Sequence, residues 1–330
     1  MQVLSTNEYK LFQQLARLNQ TDMMKTMYKF LDKKYKKVIL TKDYLIAEGS
    51  IPVALVAHAD TVFKDAPAQI FYDQRKNVIW SPQGLGADDR AGIFGIIKLI
   101  RKGYRPHIII TTDEEIGAFG ARALTQTFSE PFGDMKYIIQ LDRRGTSDCV
   151  FYDCDNKDFV KYVEGFGFTE AIGSFSDISI ICPKWKVAGV NLSIGYIGEH
   201  TTSELFYVNP FLATVEKVAK MLNDINNVKK PFEYIPSRYG GYDNSSLSSL
   251  FPEWFAEETY TRCCDCQKIF SDYEIFPVKG LDGLTKFYCS DCVVKAADWC
   301  TICGEPYEVE DEHYSTAVCQ DCRNRLEGKK

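Results

Sequence analysis

The sequence predicts an α/β fold, a three-layer sandwich around a mostly parallel sheet, followed by a small cysteine-rich module. Three observations carry this. Short apolar runs alternate with stretches of helical period along residues 38–225, as βα units do and as all-β or all-helical chains do not. Several of those runs end directly in His, Asp or Glu, which is where open α/β sheets build their sites. The periodicity then fades near Asn226, and nine of the 12 cysteines fall between 263 and 322.

The elements follow in order. Ser5-Thr-Asn-Glu8 has the form of a capping box and opens a helix with Leu11, Leu15 and Leu18 on one face. Residues 38–40, 44–46 and 53–57 are strands, and 70–72 with 78–80 form a hairpin across a polar turn. A helix is predicted over 91–100, a buried strand over 108–112, a helix over 118–127, strands over 137–141 and 150–152, and a helix over 158–165. A strand over 190–195 and a long amphipathic helix over 210–225, with Leu212, Val215, Val218 and Leu222 inward, complete the domain. Residues 226–261 read as a linker that packs partly through Phe251, Trp254 and Phe255, and 262–330 as the cysteine-rich tail.

Composition narrows the function classes. The chain has 330 residues, 45% of them hydrophobic and 25% charged, enough for a sizeable core and incompatible with wholesale disorder. No run of 18 apolar residues exists, so no membrane helix is expected, and the first 20 residues have no apolar signal core. A cytoplasmic, thiol-reducing location is the expectation. Residues 257–330 hold 15 acidic and nine basic residues, so the whole formal charge of −6 sits in the tail and the rest is neutral. Neither part has the basic surface that nucleic-acid binding needs.

Five strand ends carry metal-type side chains. His58-Ala-Asp60 follows the run at 53–57, and residues two apart on a strand point to one side, so the acid can fix the ring tautomer while the imidazole binds metal. Gly84-Leu-Gly-Ala-Asp88-Asp89-Arg90-Ala-Gly92 is a glycine-rich turn opening a helix. Asp113-Glu114-Glu115 places three consecutive acids after a buried strand, an arrangement that repels itself unless cations neutralise it. Asp142 ends the strand at 137–141, with a local pair to Arg143 as the purely structural alternative. The strand at 190–195 runs on to Glu199-His200 and Glu204.

Together, in this order and spacing, these residues resemble the co-catalytic zinc exopeptidase clan, which includes peptidase families M20, M28 and M42. The resemblance covers about residues 38–225 and matches all five motifs. It implies that His58 and Asp142 hold one metal, Glu115 and His200 the second, and Asp88 bridges them, with Asp89 as the alternative bridge. It further implies that Asp60 orients His58 and that Glu114 is the general base. Imidazole and carboxylate ligands suit zinc, with manganese or cobalt as alternatives, and two such ions activate a water for peptide hydrolysis.

Gap lengths refine this. Only 29 residues separate His58 from Asp88 and 57 separate Asp142 from His200, too few for the extra domains that the M42 and M20 families carry there. The expected catalytic domain has no lid insertion, and lidless members are mostly aminopeptidases. A carboxypeptidase or N-acyl-amino-acid deacylase is the second enzyme expectation, and a non-catalytic zinc adaptor is the alternative outside enzymes. Tyr196 and Glu199 are candidate site-lining residues.

The tail contains four CxxC pairs: Cys263/Cys266, Cys289/Cys292, Cys300/Cys303 and Cys319/Cys322. Two such pairs complete a tetrahedral four-cysteine zinc site, so two structural zinc ions are expected, making about four zinc per chain. Sequential pairing is favoured over a crossed brace, in units that resemble treble-clef or zinc-ribbon modules. Cys264 is an extra thiol and His313 a substitute ligand. A protein partner is the expected target of this acidic tail, and a peptide is the expected substrate of the domain before it.

Overall fold

The computed structural model describes residues 3–173, 175–237, 260–271, 275–279, 285–299 and 306–308. The chain divides into two units, Met1–Tyr242 and Asp243–Lys330.

The first unit is built on an eight-stranded sheet. Its strands are β1 (Val38–Leu40), β2 (Tyr44–Ala47), β3 (Ile51–His58), β6 (Pro106–Thr111), β7 (Tyr137–Arg143), β8 (Asp148–Val150), β9 (Thr169–Glu170) and β10 (Gly189–Ser193), in the order β1-β2-β6-β3-β7-β10-β8-β9. The central strands β6, β3, β7 and β10 are mutually parallel, while β1, β2 and β8 pair antiparallel toward the edges. Alternate residues of the central strands feed two separate cores. Leu55, Ala57, Ile108, Ile110, Ile139 and Leu141 face one, with α1 (Thr6–Ala16), α2 (Gln20–Leu31), α3 (Ala87–Arg101), α5 (Lys157–Glu164) and α7 (Val208–Asn223). Ala54, Val56, Ile109 and Ile138 face the other, with α4 (Phe119–Thr127) and α6 (Asp177–Trp185). This is the three-layer sandwich expected, and burial on both faces explains why the strands read as continuous apolar runs.

A second, antiparallel sheet in the order β11-β12-β5-β4 joins β4 (Phe71–Asp73) and β5 (Val78–Trp80) to β11 (Tyr196–Ile197) and β12 (Leu205–Tyr207). It links the hairpin that precedes Asp88 to the segment that carries His200.

One local expectation is met and several details depart from the rest. The Ser5 capping box forms, with Ser5 N donating to Glu8 Oε2 at 2.8 Å and Glu8 N to Ser5 Oγ at 3.3 Å. The buried face of α1 is set by Phe12, Leu15 and Ala16, with Leu11 and Leu18 only partly covered. Two helices, α2 and α6, lie beyond the predicted elements. Strand β8 ends at Val150, because Tyr152 and Asp153 both take left-handed φ values of 44° and 60° and turn the chain. Packing also continues past the predicted boundary at Ile225. Phe232 lies 5.0 Å from the Phe159 ring and 5.3 Å from that of Tyr162, and Ser237 N donates to Asp153 O at 2.8 Å. Phe251, Trp254 and Phe255, expected to anchor the linker, lie outside the described residues.

The second unit contains a hairpin of β13 (Tyr260–Arg262) and β14 (Ile269–Ser271) and a sheet in the order β16-β15-β18-β17. Its strands are β15 (Ile275–Lys279), β16 (Thr285–Cys289), β17 (Ala297–Trp299) and β18 (Pro306–Glu308), with helix α8 (Ser290–Ala296) following β16 directly.

Candidate metal centre

The carboxyl ends of β3, β6 and β7 bring the sequence-predicted residues together. His58 is the last residue of β3 and is fully buried. Its Nδ1 lies 3.1 Å from Asp60 Oδ1, and its Nε2 lies 3.1 Å from Asp88 Oδ1 and 3.5 Å from Asp142 Oδ1. His200 sits on the loop between β11 and β12, in a left-handed backbone conformation (φ 63°). Its Nε2 is 2.8 Å from Glu115 Oε2 and 3.3 Å from Asp88 Oδ2. Donor atoms of His58, Asp88 and Asp142 form one group, all within 4.8 Å of one another, and those of Asp88, Glu115 and His200 form a second. Asp88 belongs to both, with one carboxylate oxygen turned to each histidine.

Asp89 is spoken for. Its Oδ2 accepts from His58 N at 3.2 Å and its Oδ1 from Gly92 N at 2.9 Å. The two neighbouring acids therefore divide the work: Asp88 faces the imidazoles and Asp89 holds the backbone. Gly92 is required here, since a Cβ would come within 2.2 Å of Leu141 O and 2.4 Å of Asp89 Oδ1.

Asp60 accepts three hydrogen bonds: from His58 Nδ1, from Glu114 N at 3.1 Å and from Glu115 N at 3.0 Å. It therefore orients the imidazole and pins the acidic loop in one step. Asp142 is held by Tyr196 OH at 3.1 Å on Oδ1 and by Gln140 Nε2 and Ser176 Oγ, both at 2.9 Å, on Oδ2. Arg143 does not pair with it but donates to Ile172 O at 3.1 Å. Glu199 pairs with Arg144 at 2.9 Å.

Four further residues, Arg90, Gln20, Glu204 and Asp177, support these groups. Arg90 is buried, donating from Nη1 to Asp60 O and from Nη2 to Leu18 O at 2.8 Å. Gln20 and Asp113 exchange two hydrogen bonds of 3.0 Å each. Glu204 Oε1 accepts from Asp88 N at 3.1 Å. Asp177, the first residue of α6, accepts from Thr111 Oγ1 at 2.5 Å. Only Arg90 had a local signal, its place beside the Asp88-Asp89 pair. The other contacts span 93, 116 and 66 residues.

Burial and close partners shift the acids of this cluster in opposite directions and leave both histidines raised. Burial would raise the Asp88 carboxyl, but hydrogen bonds with His200 and His58 outweigh it and hold Asp88 below the usual range. Asp142 is pushed up to about 6 by burial and by the Asp88 charge. Glu114 is raised well above the usual carboxylate range, by burial first and then by Asp142, Asp177 and Glu115. Burial opposes charge on His58, yet Asp142 and Asp60 raise it well above an ordinary histidine. Hydrogen bonds with Asp88 and Glu115 carry His200 up to about 10. The carboxylates thus draw positive charge onto both rings. Glu115 Oε1 is also buried without a hydrogen-bond partner among the described residues. Two three-donor groups of imidazole and carboxylate, a shared acid and an orphaned carboxylate oxygen fit a pair of divalent ions.

In the second unit, the sulfurs of Cys263, Cys266, Cys289 and Cys292 lie within 4.8 Å of one another, which is the sequential grouping. Cys300, Cys303, Cys319, Cys322 and His313 lie outside the described residues.

The overall architecture has solved relatives. A tripeptidase from Staphylococcus aureus matches with a TM-score of 0.57 at 14% identity, over 68% of this chain and 99% of that one. Aminopeptidase PepT from Bacillus cereus matches with a TM-score of 0.53 at 16% identity, over 66% and 98%. This chain shares their fold. An aminopeptidase from the archaeon Desulfurococcus kamchatkensis matches with a TM-score of 0.51 at 12% identity, over 68% of this chain and 98% of that one. No family model and no curated protein matches the chain. No helix among the described residues is long and apolar enough to cross a membrane.

Proposed function

We propose that the first unit is a metal-dependent peptidase that removes residues from the N-termini of peptides. The observation that carries this is the placement of Asp88, one carboxylate oxygen toward each of two histidines that otherwise have separate acidic partners. His58 and Asp142 would hold one ion and Glu115 and His200 the other, with Asp88 between them. Zinc is the expected metal, with manganese or cobalt as alternatives. When bound, such a pair supplies an activated water and polarises the scissile carbonyl.

The chain's own groups do the rest. Asp60 holds His58 by Nδ1, leaving Nε2 free to ligate, and through the Glu114 and Glu115 amides it fixes the loop carrying the base. Glu114 is outside both ligand groups. A carboxylate placed there and left unligated can take a proton from the attacking water and return it to the leaving amine nitrogen. The shared fold with two aminopeptidases and a tripeptidase supports the N-terminal reading over the other two.

The test is hydrolysis of amino-acid anilides and short peptides by purified chain with zinc, manganese or cobalt, products identified by mass spectrometry. Stepwise loss of N-terminal residues, blocked by N-acetylation, is expected. Cleavage only from C-termini, or only of acylated amino acids, overturns the aminopeptidase reading. No turnover by protein with full metal content overturns the enzymatic one.

A further inference from the structure

The four sulfurs of the second unit have a geometry of their own. Cys263 and Cys266 lie on the turn after β13, Cys289 ends β16, and Cys292 is in the first turn of α8. The turn is shaped by its backbone. Cys263 N donates to Lys268 O at 2.8 Å, Gln267 N donates to Cys263 O at 3.1 Å, and Gln267 takes a left-handed φ of 62°. Cys289 N points at Cys263 Sγ at 3.4 Å, and an amide aimed at sulfur favours the thiolate.

The spacing suits a shared ion. Cys266 Sγ and Cys289 Sγ are 3.9 Å apart. A tetrahedral zinc with bonds of about 2.3 Å sets its sulfurs about 3.8 Å apart, whereas a disulfide needs about 2.05 Å. Cys264 stays outside this group, with its amide bonded to Phe287 O at 2.7 Å and its side chain exposed.

The cysteines also take part in the packing of this unit. The buried cluster of this unit, among the described residues, has eight members, and three of them are Cys263, Cys289 and Cys292 themselves. The others are Ile275, Val278, Tyr288, Val293 and Ala297, so these three cysteines sit within the apolar cluster that joins β15, β16 and α8, and an ion there would tie these elements together. We propose that Cys263, Cys266, Cys289 and Cys292 bind one zinc ion as a structural tetrathiolate site. Its all-sulfur ligand set is chemically distinct from the imidazole and carboxylate groups of the first unit. The proposal is independent of peptidase activity.

Cys264 and Cys266 provide the test. Both are exposed, so burial alone predicts equal reaction with a thiol reagent. Full-length protein purified under reducing conditions with zinc is treated with iodoacetamide under native conditions and mapped by mass spectrometry, before and after zinc removal by a chelator. Cys264 should be labelled in both samples, and Cys266, with Cys263, Cys289 and Cys292, only after removal. Equal labelling of Cys264 and Cys266 in the zinc-loaded sample overturns the proposal, as does a disulfide among the four. Cys292→Ser should lower bound zinc by one equivalent, while Cys264→Ser leaves it unchanged; equal zinc in both variants also overturns it. A Cys292→Ser chain that fails to fold leaves the wild-type labelling decisive. In His58→Ala, zinc content should fall while Cys266 stays protected, which separates this site from the first unit's.

Discussion

Gln20 lies outside every motif, yet its replacement should impair the reaction. It opens α2, and its side chain closes a two-bond ring with Asp113, Nε2 donating to Oδ1 and Oε1 accepting from the Asp113 amide, each at 3.0 Å. Asp113 takes a left-handed φ of 56°, and the next two amides bind Asp60. The ring therefore fixes the start of the loop that aims Glu114 and Glu115. Gln20→Ala removes both bonds, each with a net worth of about 1 kcal/mol. The total is about 2 kcal/mol, because both residues are partly exposed and water repays some of the loss. If that constraint serves alignment, kcat should fall about 10- to 30-fold with KM within about twofold. Steady-state kinetics on an amino-acid anilide, well below the melting temperature, measures it. Loss of stability alone would lower Tm by about 4–8 °C and leave kcat intact, and that outcome refutes the positioning role. Gln20→Glu is the companion variant. It keeps an acceptor for the Asp113 amide but sets two carboxylates together, so it should be at least as impaired as the alanine variant.

Glu114→Gln should keep the metal content of the wild type and lose about 10²- to 10⁴-fold in kcat, because the amide cannot take a proton; retained turnover would remove Glu114 from the mechanism. Burial raises Asp177 from 3.8 to about 7, so in chelator-treated protein the folded state holds a proton there that the unfolded state has lost. Its contribution to stability is present below about pH 4 and disappears as pH rises toward 7. Asp177→Asn should therefore gain in Tm relative to wild type between pH 5 and 7.5, and parallel melting curves would contradict the sign. Divalent metal should raise the Tm of wild type more at pH 7.5 than at pH 5, since protons and metal compete for the same carboxylates; an increment that shrinks with pH would argue against ligation by this cluster.

The legible part of the site was the part written locally. His58, Asp88, Glu114, Glu115 and Asp142 follow apolar strands or open a helix, so a strand end and a polar side chain appear side by side in the sequence. Their supports do not. Gln20, Glu204 and Asp177 reach their partners across dozens of residues, and a lone Gln or Glu in a polar stretch carries no period. Helix α2 does carry a local signal in the sequence. Asn19 caps it, accepting from Asp22 N at 2.8 Å, and Met23, Met27 and Leu31 recur at intervals of four. Helix α6 was harder, since its nine residues include Pro183, which argues against a helix on propensity. The boundary at Ile225 was set by the end of helical period, but Phe232 packs through its ring from a stretch with no regular structure.

The supports share one task. Asp60, Asp88, Asp89, Glu114, Glu115, Asp142, Asp177 and Glu204 crowd the carboxyl end of the sheet. Burial raises Asp89, Glu114, Glu115, Asp142, Asp177 and Glu204 while the histidines hold Asp88 down. Such a cluster costs stability on its own. The chain offsets it partly with fixed structure: a buried guanidinium at Arg90, the Asp60 hub and the Gln20 clasp from the α1–α2 corner. The two ligand groups meet at Asp88. Under the function proposed above, divalent ions held there would supply the rest of the neutralisation. The N-terminal segment therefore does more than cover a core, because Leu18 accepts from Arg90 beside the Asp88-Asp89 pair and Gln20 clasps Asp113 at the start of the Glu114-Glu115 loop.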